Sequence, residues 1–249
     1  MTRRSINWFK YTSPASFYPL AGKLIPWFAV ATALLLAAGL FIGFFVAPTD
    51  FQQGDAYRII YIHVPAAWMA MFLYLLMALY AGLGLAFNAR LWSMMASAIA
   101  STGALFAFLS LWTGALWGKP MWGTWWVWDA RLTSTLILFF LYLGFLSLQA
   151  MIEDPRRADR AGALLALVGA VNVPIIYFSV QWWNTLHQGA SLRLGKSPSI
   201  APVMLAALLI MIAACWMYSI TVTLMRVRCI ILERERNAPW VGELLREAK

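Results

Sequence analysis

Charge is what this chain lacks most. Only 12% of its 249 residues are charged and 62% are hydrophobic, whereas a soluble domain carries about 25% charged residues. That balance excludes an ordinary water-soluble domain. Cysteine is almost absent: Cys215 lies in an apolar run and Cys229 just past its end. Two such residues make neither a CxxC pair nor a disulfide framework, and both read as plain structural side chains. Histidine occurs twice, at His63 and His187. No glycine-rich nucleotide-binding loop is present, so any ATP hydrolysis belongs to a partner. The net charge of +9 sits in short basic clusters between apolar runs. It reads as a topology signal, and no nucleic-acid partner is expected. The first 23 residues are polar, basic and aromatic, so no cleaved signal peptide is expected.

Long apolar runs are what the chain has. A helical span needs about 20 apolar residues, and six segments qualify: 24–47, 64–87, 92–112, 132–152, 161–180 and 199–225. None contains Asp, Glu, Lys or Arg. The expected fold is an all-α integral membrane protein of six transmembrane helices, a single domain over 1–249. No inverted repeat of the transporter kind is visible. Pro174 is expected to kink the fifth span. Counting Lys and Arg puts 14 on one side and 5 on the other, the latter being Arg58, Lys119, Arg131, Arg193 and Lys196. Both termini are therefore expected in the cytoplasm, with 226–249 as a cytoplasmic tail whose charges alternate at helical spacing.

Three segments then face outward: 48–63, 113–131 and 181–198. His63 and His187 fall in the first and third, and the densest tryptophan cluster falls in the second. If that cluster is helical, Trp122, Trp125, Trp126 and Asp129 share an arc of roughly 100°, with Trp128 about 60° beyond its edge. Such an indole platform suits a large planar π-system. Interfacial anchoring is the plainer alternative, since tryptophan gathers at membrane surfaces, but a belt spreads over both surfaces. His63 precedes Val64-Pro65, and proline favours a helix's first turn. The imidazole therefore sits near a helix N-terminus, where the dipole disfavours its charged form. A neutral imidazole is the form that ligates metals. Two histidines from different segments can approach a porphyrin from opposite faces as axial iron ligands. A solvated interfacial histidine is the bland alternative for each. Arg58 and Arg131 are the best outer partners for carboxylates such as porphyrin propionates, with Lys119, Arg193 and Lys196 weaker. Neutralisation of Asp129 remains the alternative for Arg131.

The run Trp122-Gly123-Thr124-Trp125-Trp126-Val127-Trp128-Asp129-Ala130-Arg131-Leu132-Thr133-Ser134 resembles the WGxxWxWD signature of the tryptophan-rich, WWD-motif family that handles haem in cytochrome c maturation. The likeness to the short six-span CcmC branch covers nearly the whole chain, including Ser13-Pro14-Ala15-Ser16-Phe17-Tyr18. The resemblance implies a non-enzymatic haem-transfer subunit of the bacterial inner membrane. It would hold haem b non-covalently and load it onto the periplasmic chaperone CcmE. Its implied partners are an ATPase subunit, CcmA, a second membrane subunit, CcmB, the small single-span CcmD, and membrane lipid. By this similarity His63 and His187 match the axial ligands, and Trp122, Trp125, Trp126, Trp128 and Asp129 match the haem platform.

Other functions fit less well. A b-type electron-transfer cytochrome would place histidines deep in facing spans. A proton-coupled transporter would carry ionisable groups within its spans. A haem lyase of the same wider family would be longer, with more histidines. The chain has no CxxCH and is not itself a c-type cytochrome.

Overall fold

The computed structural model describes residues 11–187 and 200–247, and among these it is helical with no strands. Helix α1 is Pro14–Phe41, opened by Ser13, whose hydroxyl accepts from the Ser16 N–H, and by Pro14 in its first turn. It ends in a wider turn over Ile42–Val46. A short tight turn at Asp55–Ile59 leads into α2, Ile60–Phe87. Asn88, with φ of 49°, closes α2 in the left-handed conformation that short polar residues tolerate. Helix α3 is Arg90–Trp122 and α4 is Ala130–Met151. The next span is split into α5, Pro155–Gly169, and α6, Asn172–Trp182. Helix α7 is Pro202–Arg234 and α8 is Pro239–Glu247. Counting α5 and α6 together, six helices among the described residues are long and apolar enough to cross a membrane.

The spans α2, α3, α4 and α5 pack as a ring, α7 lies against α2 and α3, and α1 lies against α7. Tyrosines fill the centre of the ring. Tyr142 donates to the Ala70 carbonyl at 2.8 Å and lies edge-on to Tyr74, with centroids 4.9 Å apart. Both are fully buried. Glycine makes room for them, because a Cβ at Gly103 would collide with the Tyr142 ring and one at Gly169 with the Tyr74 hydroxyl. Small residues at such contacts let membrane helices approach closely.

Three boundaries differ by nine residues or more from the sequence expectation, the first being that α1 begins at Pro14 and not at residue 24. The third helix does not stop at Trp112 but runs to Trp122, through Gly114, Gly118 and Pro120. Those residues lower the hydropathy without breaking the helix, and the glycines sit where neighbouring rings press against it. A Cβ at Gly114 would stand 3.1 Å from His63 Cε1, and one at Gly118 would stand 3.0 Å from Trp122. The last long helix continues to Arg234. There the guanidinium grips both oxygens of Asp159 at 2.9 and 3.0 Å and reaches Gln149 Oε1 at 3.1 Å. That grip ties α7 to α5 and α4. The break expected at Pro174 is present at Ala170–Val171. Proline has no N–H for the Ala170 carbonyl, and its ring crowds that carbonyl; the Val173 N–H takes it instead at 3.1 Å.

Gly103→Val should overpack the tyrosine contact and destabilise the bundle by about 1–3 kcal/mol. Thermal unfolding in detergent should show a lower midpoint; an unchanged midpoint would contradict this packing.

Candidate ligand cavity

The segments that follow α1 and α3, and residues 183–187 after α6, gather at one end of the bundle. Between them lies a cavity of about 310 Å³ lined by side chains from α2, α3, α4, α6 and α7, and by His187. Its lining includes His63, Trp117, Trp122, Trp126, Arg131 and His187. The two histidines, 124 positions apart in the chain, thus face one space. Their ring centroids are 6.2 Å apart and their planes differ by 36°.

His63 is the fourth residue of α2 and only 8% exposed. Its Nδ1 lies 3.0 Å from Thr113 Oγ1. The Thr113 hydroxyl lies 2.6 Å from the Leu109 carbonyl, which accepts its proton. A hydroxyl has one proton to donate, so toward His63 it acts as acceptor. The imidazole therefore carries its proton on Nδ1 and leaves Nε2 with its lone pair. Metal-binding histidines are held in the same way, by an outer partner on the other ring nitrogen. Trp117 lies edge-on to His63 at 5.6 Å and is itself fixed by donating to Gln53 Oε1 at 2.9 Å. Trp122 stands 6.4 Å from His187. The His187 backbone N–H donates to Thr185 Oγ1 at 2.8 Å, a local turn just after α6.

The tryptophan-rich segment is not the helical platform that a 100° spacing implies. Gly123, with φ of 76°, ends α3, and its N–H closes on the Lys119 carbonyl at 3.1 Å. Positive φ is strained for any residue with a side chain, and glycine adopts it freely. Asp129 then starts α4, its Oδ1 accepting from the Leu132 N–H at 2.7 Å. Between these two caps the chain is non-helical. The chain bends at Thr124, whose hydroxyl donates to the Trp126 carbonyl at 3.1 Å and accepts from the Trp126 N–H at 3.4 Å, and Trp125 and Trp126 part. Trp126 lines the cavity, with Trp128 edge-on to it at 5.4 Å. Trp125 is 54% exposed under the Lys119 ammonium, and Trp128 is 78% exposed. Neither lines the cavity.

The two arginines also separate. Arg58 is not in the cavity. Its Nε pairs with Asp55 at 2.8 Å, and its Nη1 donates to the Gly43 and Ala47 carbonyls at 2.8 and 3.0 Å. It thus caps the carbonyl end of α1. Arg131 does line the cavity, with Nη1 on the Ile176 carbonyl at 2.7 Å. Among the described residues it forms no ion pair with Asp129 within 4 Å. Two buried polar atoms beside the cavity have no hydrogen-bond partner: the Trp126 indole N–H and Asp129 Oδ2. Arg193 and Lys196 lie outside the described residues.

Sequence reasoning missed Thr113, Gly114 and Trp117. A signal for Gly114 and Trp117 existed, since Ser110, Gly114, Trp117 and Met121 recur at helical spacing along α3 and all line the cavity.

The family model described as CcmC, Heme exporter protein C, matches residues 7–242. A relative named Heme exporter protein C from Escherichia coli is 50% identical over 232 residues, 93% of this chain and 94% of its own length. Relatives of the same name come from Haemophilus influenzae and Bradyrhizobium diazoefficiens. The first is 47% identical over 96% of this chain and 97% of its own length. The second is 50% identical over 89% of this chain and 84% of its own length.

With only two histidines, ¹⁵N-histidine labelling gives four ring-nitrogen signals. His63 should show a protonated Nδ1 and a bare Nε2, and Thr113→Val should abolish that preference while Thr113→Ser keeps it. A wild-type His63 protonated on Nε2 would refute the assignment.

Proposed function

This chain belongs to the Heme exporter protein C family, and on that footing we propose that its cavity holds haem at the periplasmic edge of the bacterial inner membrane during cytochrome c maturation. His63 and His187 are the axial ligands. The observation that carries this reading is the pair of imidazoles facing one another at 6.2 Å across an indole-lined space. An imidazole–metal bond is about 2 Å long, so two imidazoles opposed across one metal stand about 4 Å apart nitrogen to nitrogen. Their ring centres are then about 6 Å apart, allowing about 1 Å from each nitrogen to its ring centre. Among the described residues no group of three His, Cys, Asp or Glu side chains converges. Two imidazoles alone leave a metal short of ligands, and a porphyrin supplies four nitrogens.

The remaining chemistry also suits haem b. Trp117, Trp122 and Trp126 present ring surface to a planar macrocycle. Arg131 carries five N–H donors, and with the unpartnered Trp126 N–H it suits the propionates. Asp129 acts on the site by starting α4 and so placing Arg131, and Trp125 and Trp128 offer an exposed apolar rim to a docking protein. The recipient is the chaperone CcmE, and the chain works as a transfer subunit beside CcmA, CcmB and CcmD. ATP hydrolysis belongs to CcmA. The excess of Lys and Arg on the opposite side of the chain's topology supports a cytoplasmic location for both termini.

Haem content of the purified protein tests this. His63→Ala and His187→Ala should each reduce haem occupancy at least tenfold, and Thr113→Val should weaken haem binding by about 10–100-fold, as loss of an outer partner does. Arg58→Ala should leave occupancy within twofold in correctly folded protein. Full occupancy in both histidine variants would refute the ligand assignment.

A further inference from the structure

Among the described residues the cavity has a buried floor toward the far end of the bundle and half-exposed side chains on one flank. Toward the far end of the bundle it is sealed by Tyr74, Met77, Tyr142 and Phe145, all 2% exposed or less. No planar macrocycle passes that floor without unpacking the core. The side is different because of the split span. Helix α5 packs against both α2 and α4, whereas α6 packs against α4 and barely touches α2. The missing N–H of Pro174 lets the chain change direction at Ala170–Val171, and two bonds draw the second half toward α4. Asn172 Nδ2 donates to the Ser134 carbonyl at 2.9 Å, and Arg131 Nη1 to the Ile176 carbonyl at 2.7 Å. A cleft between α2 and α6 results.

Trp68 on α2 and Tyr177 on α6 mark its two edges. Both line the cavity, yet each is 51% exposed. The cleft lies at lipid depth. Tyr177 is five residues, about 7.5 Å, below Trp182 along the helix, and the Trp182–Trp183 pair is of the kind that sits at a membrane surface. The cavity also has a polarity gradient. Trp126 and Arg131 are near the ends of their segments, while Met71, Leu138 and Leu208 line the deeper part. Met71 is about 12 Å further along α2 than His63. An amphiphilic porphyrin resting in the outer leaflet has the same gradient, with carboxylates at the surface and an apolar rim below.

We infer that haem enters and leaves this cavity sideways, in the plane of the membrane, through the cleft between α2 and α6 bounded by Trp68 and Tyr177. The inference rests on the reading that the cavity holds haem. Sliding in along the leaflet keeps the propionates at interfacial depth throughout, and they arrive at Arg131 and the Trp126 N–H without crossing hydrocarbon.

The test uses the full chain in lipid nanodiscs, with Cys215→Ala and Cys229→Ser removing the native thiols and Trp68→Cys with Tyr177→Cys placing one thiol on each edge. Haem-loaded vesicles are the donor, and the rate of growth of the protein's haem absorption band is the readout. Joining the two thiols with a reductant-cleavable cross-linker should slow uptake at least tenfold, and cleavage should restore it. Equal rates with and without the link would overturn the lateral route and leave the haem site intact. If the exchanges impair uptake before linking, Tyr177→Cys alone serves, carrying either a bulky or a methyl-sized disulfide adduct. The bulky adduct should be the slower by a similar factor, and equal rates would again overturn the route. Wild-type protein that takes up no haem at all would overturn the haem reading and the route with it.

Discussion

A threonine hydroxyl has one proton, and at Thr113 it lies on the Leu109 carbonyl. The form in which His63 meets the cavity depends on that constraint. It makes Thr113 an acceptor toward His63, which fixes the imidazole tautomer and leaves Nε2 bare. The arrangement in turn requires α3 to continue well past its apolar run, so that Thr113 and Gly114 lie beside the first turn of α2. The glycine is the steric half of the same device, since a Cβ there would press on the imidazole edge. Helix length, hydrogen-bond direction and a missing side chain thus combine to present one lone pair to the cavity.

The tryptophan-rich signature acts through its punctuation as much as through its indoles. Gly123 stops α3 and Asp129 starts α4, and the short non-helical stretch between them sorts the tryptophans. Trp122 and Trp126 turn to the cavity, while Trp125 and Trp128 turn outward. The inner indoles line the cavity, and the outer ones form an exposed apolar surface. The aspartate is a helix cap that sets where Arg131 emerges, two residues later. The break in the fifth span completes the site by drawing α6 toward α4, which opens the flank next to α2.

The larger features were legible in the sequence because they rest on composition and period. Six apolar runs separated by charged or turn-forming residues became six spans, and Pro174 broke the fifth where its missing N–H demanded. The gathering of His63, the tryptophan segment and His187 at one end follows from alternating the spans. What hydropathy could not show was the extension of α3, because Gly114 and Gly118 look like loop residues until the rings packed on them are seen. A single helical period could not foresee that Gly123 would end the helix and leave the segment bent and non-helical. Arg58 looked like an anion partner by side and charge alone. The carbonyls that occupy it, at Gly43 and Ala47, come from the end of α1, a contact no local pattern encodes.

The central claim is that one haem iron is held between His63 and His187. The spin state of the haem-loaded protein, read by electron paramagnetic resonance of the ferric form, tests it most directly. The account predicts a six-coordinate, low-spin signal in the wild type and a high-spin signal for whatever haem remains in His63→Ala or His187→Ala. A low-spin signal that persists unchanged in both single variants would contradict it.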